Sequence, residues 1–404
     1  MSSGLDFSAA DAGDDPLRYD DALQSAVRRF QARHGLEVDG VVGRATLAAL
    51  NVPVAARIDQ VLANLERLRW VARELAGDYL LVDIAGFRAE LWLDGAPAWS
   101  ARAVVGKPYR TTPEFRARMK YLVLNPEWSV PPTILREDVL PRVLQDPGHL
   151  ARHDMRLLDR AGGAVDPRAV EWERWRAQPR AFPYLVVQAP GGDNPLGGVK
   201  FMFPNDHSVY LHDTPSRALF GKPVRAASSG CIRIENPRAL ARLLLDDPQR
   251  WPETAIDEAI AGGRTRIVPV KRAVPVLLLY FTAVADETGA PQFRPDLYAR
   301  DAPIVRALAA PFRFTPVDAR AKGLGESRGA GVQRAGRRRL RTSGGHRAGR
   351  LVTRSTAPSS AGSRPRDWGG RAHGSGSATP RGPTAGSRGR RMPLRPANWA
   401  DCRA

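Results

Sequence analysis

Cysteine is scarce in this chain of 404 residues, which contains only Cys231 and Cys402. A structural zinc site normally needs four ligands, and no second pair of cysteines is present to complete one. Cys402 lies in a stretch rich in Arg, Gly and Ser that has little apolar sequence. Cys231 is therefore the one thiol in sequence typical of a folded domain. No neighbouring thiol could capture it in an oxidising compartment.

Long apolar runs are missing as well. The chain opens at Met1 with an acidic segment that lacks the apolar core of a secretory signal peptide. The apolar run 276–284 is far too short to cross a bilayer. No Walker-type phosphate loop is present, and the glycine pairs at 191–192 and 197–198 indicate turns rather than a dinucleotide fingerprint. The sequence therefore predicts neither a transmembrane segment nor a nucleotide-binding loop.

Acidic residues are nearly absent from the end of the chain. Residues 321–404 hold 19 Lys+Arg against 3 Asp+Glu, whereas the preceding 320 residues hold 42 against 39, so the high pI belongs to this tail. We interpret 315–404 as a low-complexity basic tail that is disordered, because it cannot bury enough apolar surface to fold. A shifted reading frame after Phe314 is the alternative origin of this sequence. Aromatic residues are too few for a typical RNA-binding arm, so no nucleic-acid partner is expected.

A histidine and the lone cysteine form the most informative pattern. His212 follows 208–211, which alternates like a strand, and lies nineteen residues before Cys231 in the sequence Ser-Ser-Gly-Cys-Ile-Arg (228–233). The thiolate is the attacking form of cysteine, and a neighbouring imidazolium lowers the pKa of the thiol. Gly230 allows the backbone to approach a substrate carbonyl, and amides there could form an oxyanion hole. Either residue alone is more often structural, but the combined pattern favours a catalytic pair.

This pattern resembles a known family. The segments 210–215 and 228–233 are similar to the catalytic motif of the L,D-transpeptidases (YkuD-type). Many members have histidine immediately before Gly-Cys, but the large periplasmic YcbB-like subgroup has serine there, as this chain has Ser229. The segments 105–113, 124–132 and 197–205 extend the resemblance, which covers about residues 17–302.

The resemblance implies a reaction and a role for each residue. Cys231 is the expected nucleophile on a peptidoglycan tetrapeptide stem, releasing D-alanine before transfer to an amine of a neighbouring stem (a 3-3 cross-link) in cell wall biogenesis. His212 is the expected general base and acid. Ser229 and Gly230 are assigned to the oxyanion loop, and Tyr210 and Arg233 to substrate binding.

The same resemblance implies partners and a location. Peptidoglycan stem peptides and glycan are the expected partners, and a carbapenem is the expected covalent inhibitor. No cofactor or metal is expected. The substrate implies the periplasm or cell envelope, so the missing signal peptide indicates a misplaced or truncated start.

Other functions stay open at this point. The same acyl-enzyme could be resolved by water, as in an L,D-carboxypeptidase or a lipoprotein-releasing hydrolase. A non-catalytic wall-binding protein is the alternative from another class. Zinc bound by His207, His212 and Cys231 is geometrically conceivable but is rejected, because no second cysteine pair supports it and the thiol needs only a base. His149 and His153 are four residues apart but lack the glutamate of the metalloprotease helix.

The front of the chain predicts a separate helical module. Leu23, Val27 and Phe30 recur at helical spacing, Gly35 ends that helix, and Thr46 begins a second short one. The sequence from Ala26 to Leu50 resembles a small helical peptidoglycan-binding domain, in which we expect His34 to pack rather than bind metal.

The fold class is therefore predicted to be α+β. A mostly-β YkuD-like catalytic domain (78–302) carries a helical capping insertion (133–183), and a small all-α peptidoglycan-binding domain (17–53) precedes it. A connecting helix (54–77) is expected from an amphipathic stripe. That stripe consists of Ile58, Leu62, Leu65, Leu68, Ala72 and Leu75.

Overall fold

The computed structural model describes residues 18–146 and 148–311. The basic tail predicted at 315–404, including Cys402, lies outside the described residues. Within them, no helix combines the length and the apolar character that a bilayer span requires.

Helices occur at the front of the described chain, in the insertion and near its end. The α-helices are α1 (Asp21–Arg33), α2 (Arg44–Leu50), α3 (Val54–Val71), α4 (Pro132–Ile134), α5 (Leu140–Gln145), α6 (His149–Arg152), α7 (Trp172–Ala177), α8 (Pro237–Leu245), α9 (Glu253–Ala261) and α10 (Asp301–Ala309). A π-helix, Leu135–Val139, joins α4 to α5, and short 3-10 turns occupy Pro167–Ala169, Pro179–Ala181 and Arg217–Gly221.

Strands fill most of the remaining chain. They are β1 (Tyr79–Asp83), β2 (Arg88–Leu93), β3 (Ala96–Gly106), β4 (Phe115–Arg118), β5 (Tyr121–Leu124), β6 (Trp128–Ser129), β7 (Met155–Leu158), β8 (Ala164–Val165), β9 (Leu185–Gln188), β10 (Val199–Met202), β11 (Leu211–His212), β12 (Ala226–Ser228), β13 (Ile232–Ile234), β14 (Arg266–Pro269), β15 (Pro275–Leu279), β16 (Ala283–Ala285) and β17 (Pro291–Phe293).

The first two helices form the predicted N-terminal module. The Asp20 side chain caps α1 by accepting a hydrogen bond from the Leu23 N–H, and Gly35, with φ +63°, lets the chain turn away after the helix. Buried Gln31 donates to Asp39 Oδ1 at 2.7 Å and accepts from the Gly40 N–H at 2.8 Å, closing the loop before α2. His34 packs as expected, stacked on Phe30 with ring centroids 3.9 Å apart.

Helix α3 lies within the range 54–77 expected for the connecting helix, but its apolar stripe does not face inward. Ile58, Leu62, Leu65 and Leu68 are exposed, whereas the buried side chains of the helix are Ala63, Asn64 and Arg67. The inward face is polar because hydrogen bonds to β-sheet loops and an ion pair to α10, rather than apolar contacts, hold the helix.

One large sheet makes up the catalytic domain. Its strand order is β14-β5-β10-β11-β13-β3-β2-β1-β15-β4, with β12 paired to β3. Strands β4 and β5 are consecutive in the chain but lie at opposite ends of this order. The chain between them bonds to both ends: the Met119 N–H donates to Val274 O and the Lys120 N–H to Met202 O, each at 2.9 Å. The sheet is therefore curled upon itself.

The interior of the curled sheet is apolar, and strand alternation decides which side chains enter it. In β10 and the residue after it, Val199, Phe201 and Phe203 are fully buried in the core, whereas Lys200 and Met202 are half-buried on the other face. Leu240 and Leu244 of α8 pack against the same core. Burying each such large apolar side chain stabilises the fold by about 1.5–3 kcal/mol. Lys200 is thus directed to the face that carries the candidate site.

The capping insertion has its own small core. It is not wholly helical, because β6, β9, β7 and β8 form a four-stranded sheet beside its short helices. Trp175 is buried in this core, and the Trp172 indole N–H donates to Pro167 O at 2.9 Å. The tryptophan pair is therefore part of the core of the insertion.

The prediction of a strand at 208–211 is mostly wrong. Only Leu211–His212 form a strand, and Ser208 has φ +54°. The Asn205 side chain prevents earlier pairing, because its amide donates to Phe203 O and Val209 O while its oxygen accepts the N–H groups of His207 and Val209.

Candidate active site

A cavity of about 360 Å³ opens at strands β11 and β13 and the loops that precede them. Strands β11 and β13 run parallel with His212 beside Arg233, and β10 places Lys200 beside His212 from the other side. All six residues that the sequence singled out line this cavity. They are Ser229, Gly230, Cys231, Arg233, Tyr210 and His212.

The loop before Cys231 is held by side-chain hydrogen bonds. Ser228 Oγ accepts from the Gly230 N–H at 3.1 Å and donates to Cys231 O at 2.6 Å. The fully buried Thr112 hydroxyl donates to Gly230 O at 2.8 Å. Gly230 has φ +116°, which L side chains rarely adopt, so glycine is required here. The Gly230 N–H is already engaged, whereas the Cys231 N–H has no acceptor among the residues that the structure describes.

Cys231 is half-buried, and its sulfur lies 3.9 Å from Ser208 O. Within the described chain its hydrogen bond goes to this carbonyl and not to the His212 imidazole, although both side chains line the cavity. Burial raises the pKa of the Cys231 thiol. Tyr210, through its backbone N–H and its phenol, acts in the opposite direction, and so do the cations Lys200 and Arg233.

His212 is 4% exposed, and its Nδ1 lies 2.5 Å from Asp213 O. A proton on Nδ1 satisfies this carbonyl and leaves Nε2 as a lone-pair base. Burial lowers the pKa of His212 to about 3; Arg233 and Lys200 lower it too, against the carbonyls of Asp213 and Pro195. The imidazole is therefore neutral at neutral pH, which differs from the thiolate–imidazolium pair that the sequence suggested.

Asp213 positions the histidine through its own fixed side chain. Its carboxylate accepts the Gly198 N–H at 2.9 Å, the Thr214 N–H at 2.7 Å and Arg217 Nη2 at 2.5 Å. A Cβ on Gly197 would lie 2.5 Å from this carboxylate, so the close approach of the backbone also requires glycine. The sequence identified Asp213 only as part of a turn.

Two further cations beside the site residues were missed. Lys200 Nζ lies 3.9 Å from the Tyr210 ring centroid. Arg110 donates to Ser229 Oγ at 2.8 Å, to Asp138 Oδ2 at 2.7 Å and to Glu137 Oε2 at 2.5 Å, so it joins the cysteine loop to the π-helix of the insertion. A charged residue between apolar neighbours in 199–203 was the available signal for Lys200.

No three His, Cys, Asp or Glu side chains among residues 18–146 and 148–311 cluster closely enough to hold a metal ion. His149 and His153 do lie together, with ring centroids 4.5 Å apart, but no third ligand joins them in that described region.

Two buried neutral histidines predict a loss of stability in acid. Burial lowers the pKa of His34 to about 4 and that of His212 to about 3, from 6.5 when unfolded. The unfolded chain therefore binds protons that the native state does not, and the free energy of unfolding falls as pH drops below 6.5. We expect a slope of up to about 1.4 kcal/mol per pH unit for each site, measured by urea unfolding between about pH 5 and about pH 7.

The variant His34→Gln should flatten this slope, because it removes one of the two buried imidazoles. The matched control is His207→Gln, in which the lost imidazole is exposed. An unchanged slope in His34→Gln would contradict the assignment of the acid sensitivity to buried histidine.

Comparisons with known proteins support the family that the sequence motifs indicate. Residues 77–267 match the family model for the L,D-transpeptidase catalytic domain (YkuD), and residues 4–50 match the model described as "Putative peptidoglycan binding domain". A relative from Haemophilus influenzae, described as "Putative L,D-transpeptidase", is 37% identical over 247 residues. That match covers 61% of this chain and 49% of the relative, so the chain spans about half the length of this curated protein.

Solved L,D-transpeptidases are also matched, at low identity. The structure from Xylanimonas cellulosilytica is 16% identical, with 64% of this chain and 80% of that chain covered and a TM-score of 0.22. L,D-transpeptidase 3 from Mycobacterium tuberculosis, solved with a faropenem-derived adduct, is 12% identical with coverages of 50% and 60% and a TM-score of 0.25. The assignment rests on the family models and the curated relative. The YcbB-like subgroup stays a prediction. The chain contains a catalytic domain of the YkuD family of L,D-transpeptidases together with a peptidoglycan-binding domain.

Proposed function

We propose that this protein is a cysteine-dependent acyltransferase that forms 3-3 cross-links between peptidoglycan stems. The observation that carries this proposal is the placement of Cys231, His212 and Gly230 around one cavity of a YkuD domain. The cavity volume, about 360 Å³, lies within the range of small-ligand sites and suits a short peptide segment.

In the first half-reaction the Cys231 sulfur attacks the carbonyl of the third stem residue. The thiol proton passes to His212 Nε2, and the new C–S bond creates a tetrahedral oxyanion that the Cys231 N–H can stabilise. Collapse of this intermediate breaks the C–N bond, and the imidazolium returns the proton to the leaving D-alanine amine. For this step the sulfur must turn from Ser208 O toward the imidazole, a contact that often tightens only when substrate binds.

In the second half-reaction an amine of a neighbouring stem attacks the thioester. His212 accepts a proton from this amine, the C–S bond breaks, and the proton returns to the Cys231 sulfur. The neutral Nδ1–H tautomer supports both steps, because Nε2 is free to accept a proton at neutral pH. With water in place of the amine, the protein would be an L,D-carboxypeptidase or a lipoprotein-releasing hydrolase. Analysis of the products distinguishes this hydrolysis from transfer to an amine.

The other segments of the chain are proposed to bind the polymer and to connect and cover the catalytic domain. The module at 17–53 would hold the polymer, 54–77 would connect it, and 78–302 would carry catalysis beneath the insertion at 133–183. The substrate places the protein in the periplasm or cell envelope. We further propose that a carbapenem acylates Cys231.

The test is to incubate the purified protein with disaccharide-tetrapeptides and to follow products and intact protein by mass spectrometry. We expect free D-alanine, a thioester adduct on Cys231, and a dimer whose mass equals two donors minus one D-alanine. Tripeptide products without dimers would support the hydrolase instead. Absence of both D-alanine release and adduct would overturn acyl transfer at this site.

A further inference from the structure

Two cations at the candidate site have no carboxylate partner among the described residues. Lys200 and Arg233 make no ion pair there, whereas the charge of Arg110 is matched by Glu137 and Asp138. Burying a cation is costly unless an anion compensates it. Lys200 is half-buried, and its ammonium instead faces the ring of Tyr210 at 3.9 Å. The described residues on this face of the sheet therefore supply no carboxylate to balance Lys200 and Arg233.

The group best placed to supply that anion is the sulfur of Cys231. Burial has the largest influence on these groups: it lowers the pKa of Lys200 and raises the pKa of Tyr210 and of the Cys231 thiol. Beyond burial, the charge of Cys231 raises the pKa of Lys200 and Tyr210, and both of these groups lower the pKa of the thiol. His212 cannot supply the compensating positive charge, because it is buried and neutral. Besides Cys231, the ionisable or charged groups that line the cavity are Tyr210, His212, Arg233, His207 and Arg110, and Lys200 is paired with His212 across β10 and β11.

We propose that Lys200 is a positioning residue that stabilises the Cys231 thiolate across the Tyr210 ring, in place of an imidazolium at His212. In the free protein the ionised fraction of Cys231 has released its proton to solvent, whereas in the proposed reaction the thiol proton passes to His212 Nε2 as the sulfur attacks; the Lys200 ammonium keeps its own proton in both cases. This inference rests on Cys231 being the proposed nucleophile, but its test needs no peptidoglycan.

The test is the pH dependence of the alkylation of Cys231 by iodoacetamide, a neutral reagent. The thiolate sulfur displaces iodide, forming an S–C bond and breaking the C–I bond, so the rate reports the thiolate fraction. In Lys200→Met the midpoint should rise by about one pH unit or more, which lowers the rate about tenfold at pH values below both midpoints. Lys200→Arg, which keeps the charge, should stay close to the wild type.

The matched control is Lys107→Met. Lys107 Nζ also faces an aromatic ring, 5.6 Å from the centroid of Tyr109, but neither Lys107 nor Tyr109 acts on the Cys231 thiol as Lys200 and Tyr210 do. Its loss should leave the midpoint unchanged. If Lys200→Met does not fold, the reciprocal effect is measured in the wild-type protein: alkylation of Cys231 removes the anion, so the pKa of Lys200, followed by NMR with labelled lysine, should fall.

An unshifted midpoint in folded Lys200→Met, or an unshifted Lys200 pKa after alkylation, overturns the inference. An unshifted midpoint with a raised KM for D-alanine release also overturns it, and would assign Lys200 to a carboxylate of the substrate. A shifted midpoint in a protein that never releases D-alanine would keep this inference and reject the proposed function.

Discussion

Replacing Cys231 with Ala is expected to abolish D-alanine release and all covalent labelling by a carbapenem. No other thiol of the described residues lines the cavity to form a thioester. The two serine hydroxyls nearest in sequence are already engaged: Ser228 Oγ bonds Gly230 and Cys231, and Ser229 Oγ accepts from Arg110. Losing a nucleophile typically costs more than about 10⁴-fold in turnover. Intact-protein mass spectrometry after carbapenem treatment and muropeptide profiling measure the two effects.

The chain offers a matched control, because Cys402 is its only other cysteine. Cys402→Ala should keep both the adduct and the activity. Binding of Cys231→Ala to sacculi should persist through the N-terminal module, which separates loss of chemistry from loss of substrate contact. Unchanged D-alanine release by Cys231→Ala would sink the proposed mechanism.

Replacing His212 is expected to reduce activity less than replacing Cys231. In His212→Gln general-base catalysis is lost but the thiol remains, so we expect a fall in turnover of about 10²–10⁴-fold. If Lys200 supports the thiolate as proposed, alkylation of Cys231 should survive in His212→Gln. The two measurements together therefore distinguish proton transfer from thiol activation.

Local sequence signals predicted several elements well. The dipeptide Asp94-Gly95 is a local signal for the hairpin between β2 and β3, where its φ values are +53° and +77°, because such dipeptides suit the left-handed turn between two strands. The bounds of helix α8, Pro237–Leu245, also have a local signal, since proline begins it and Leu240 and Leu244 face the core. In both cases the information lies within a few neighbouring residues.

Long-range partners explain what the sequence could not predict. The motif residues meet because β11 and β13 are neighbours and parallel, and no local pattern encodes that pairing. The same applies to Lys200, whose place beside His212 is set by the register of β10. The helix at α3 was predicted, but its buried face was not, because the partners of Asn64 and Arg67 lie more than 200 residues away.

That polar face of α3 predicts a large loss of stability in Arg67→Ala. Arg67 Nη1 lies 2.5 Å from Asp301 Oδ1, and the side chains of the two residues are only 4% and 14% exposed. Asp301 Oδ2 also accepts from the Thr282 hydroxyl at 2.7 Å, and Thr282 accepts from Asn64 Nδ2 at 2.7 Å. Removing the cation leaves a buried carboxylate unpaired, which typically costs about 3–5 kcal/mol.

Urea unfolding at neutral pH measures this loss, and Arg69→Ala on the same helix is its control. Arg69 pairs with Glu66 at 2.9 Å, but its side chain is 74% exposed, so water already screens the pair. An exposed pair of this kind is worth about 0–1 kcal/mol. Equal effects of the two variants would show that burial of the Arg67–Asp301 pair does not hold α3 against α10. A loss confined to Arg67→Ala would mean that polar contacts fix this helix while its apolar stripe faces outward.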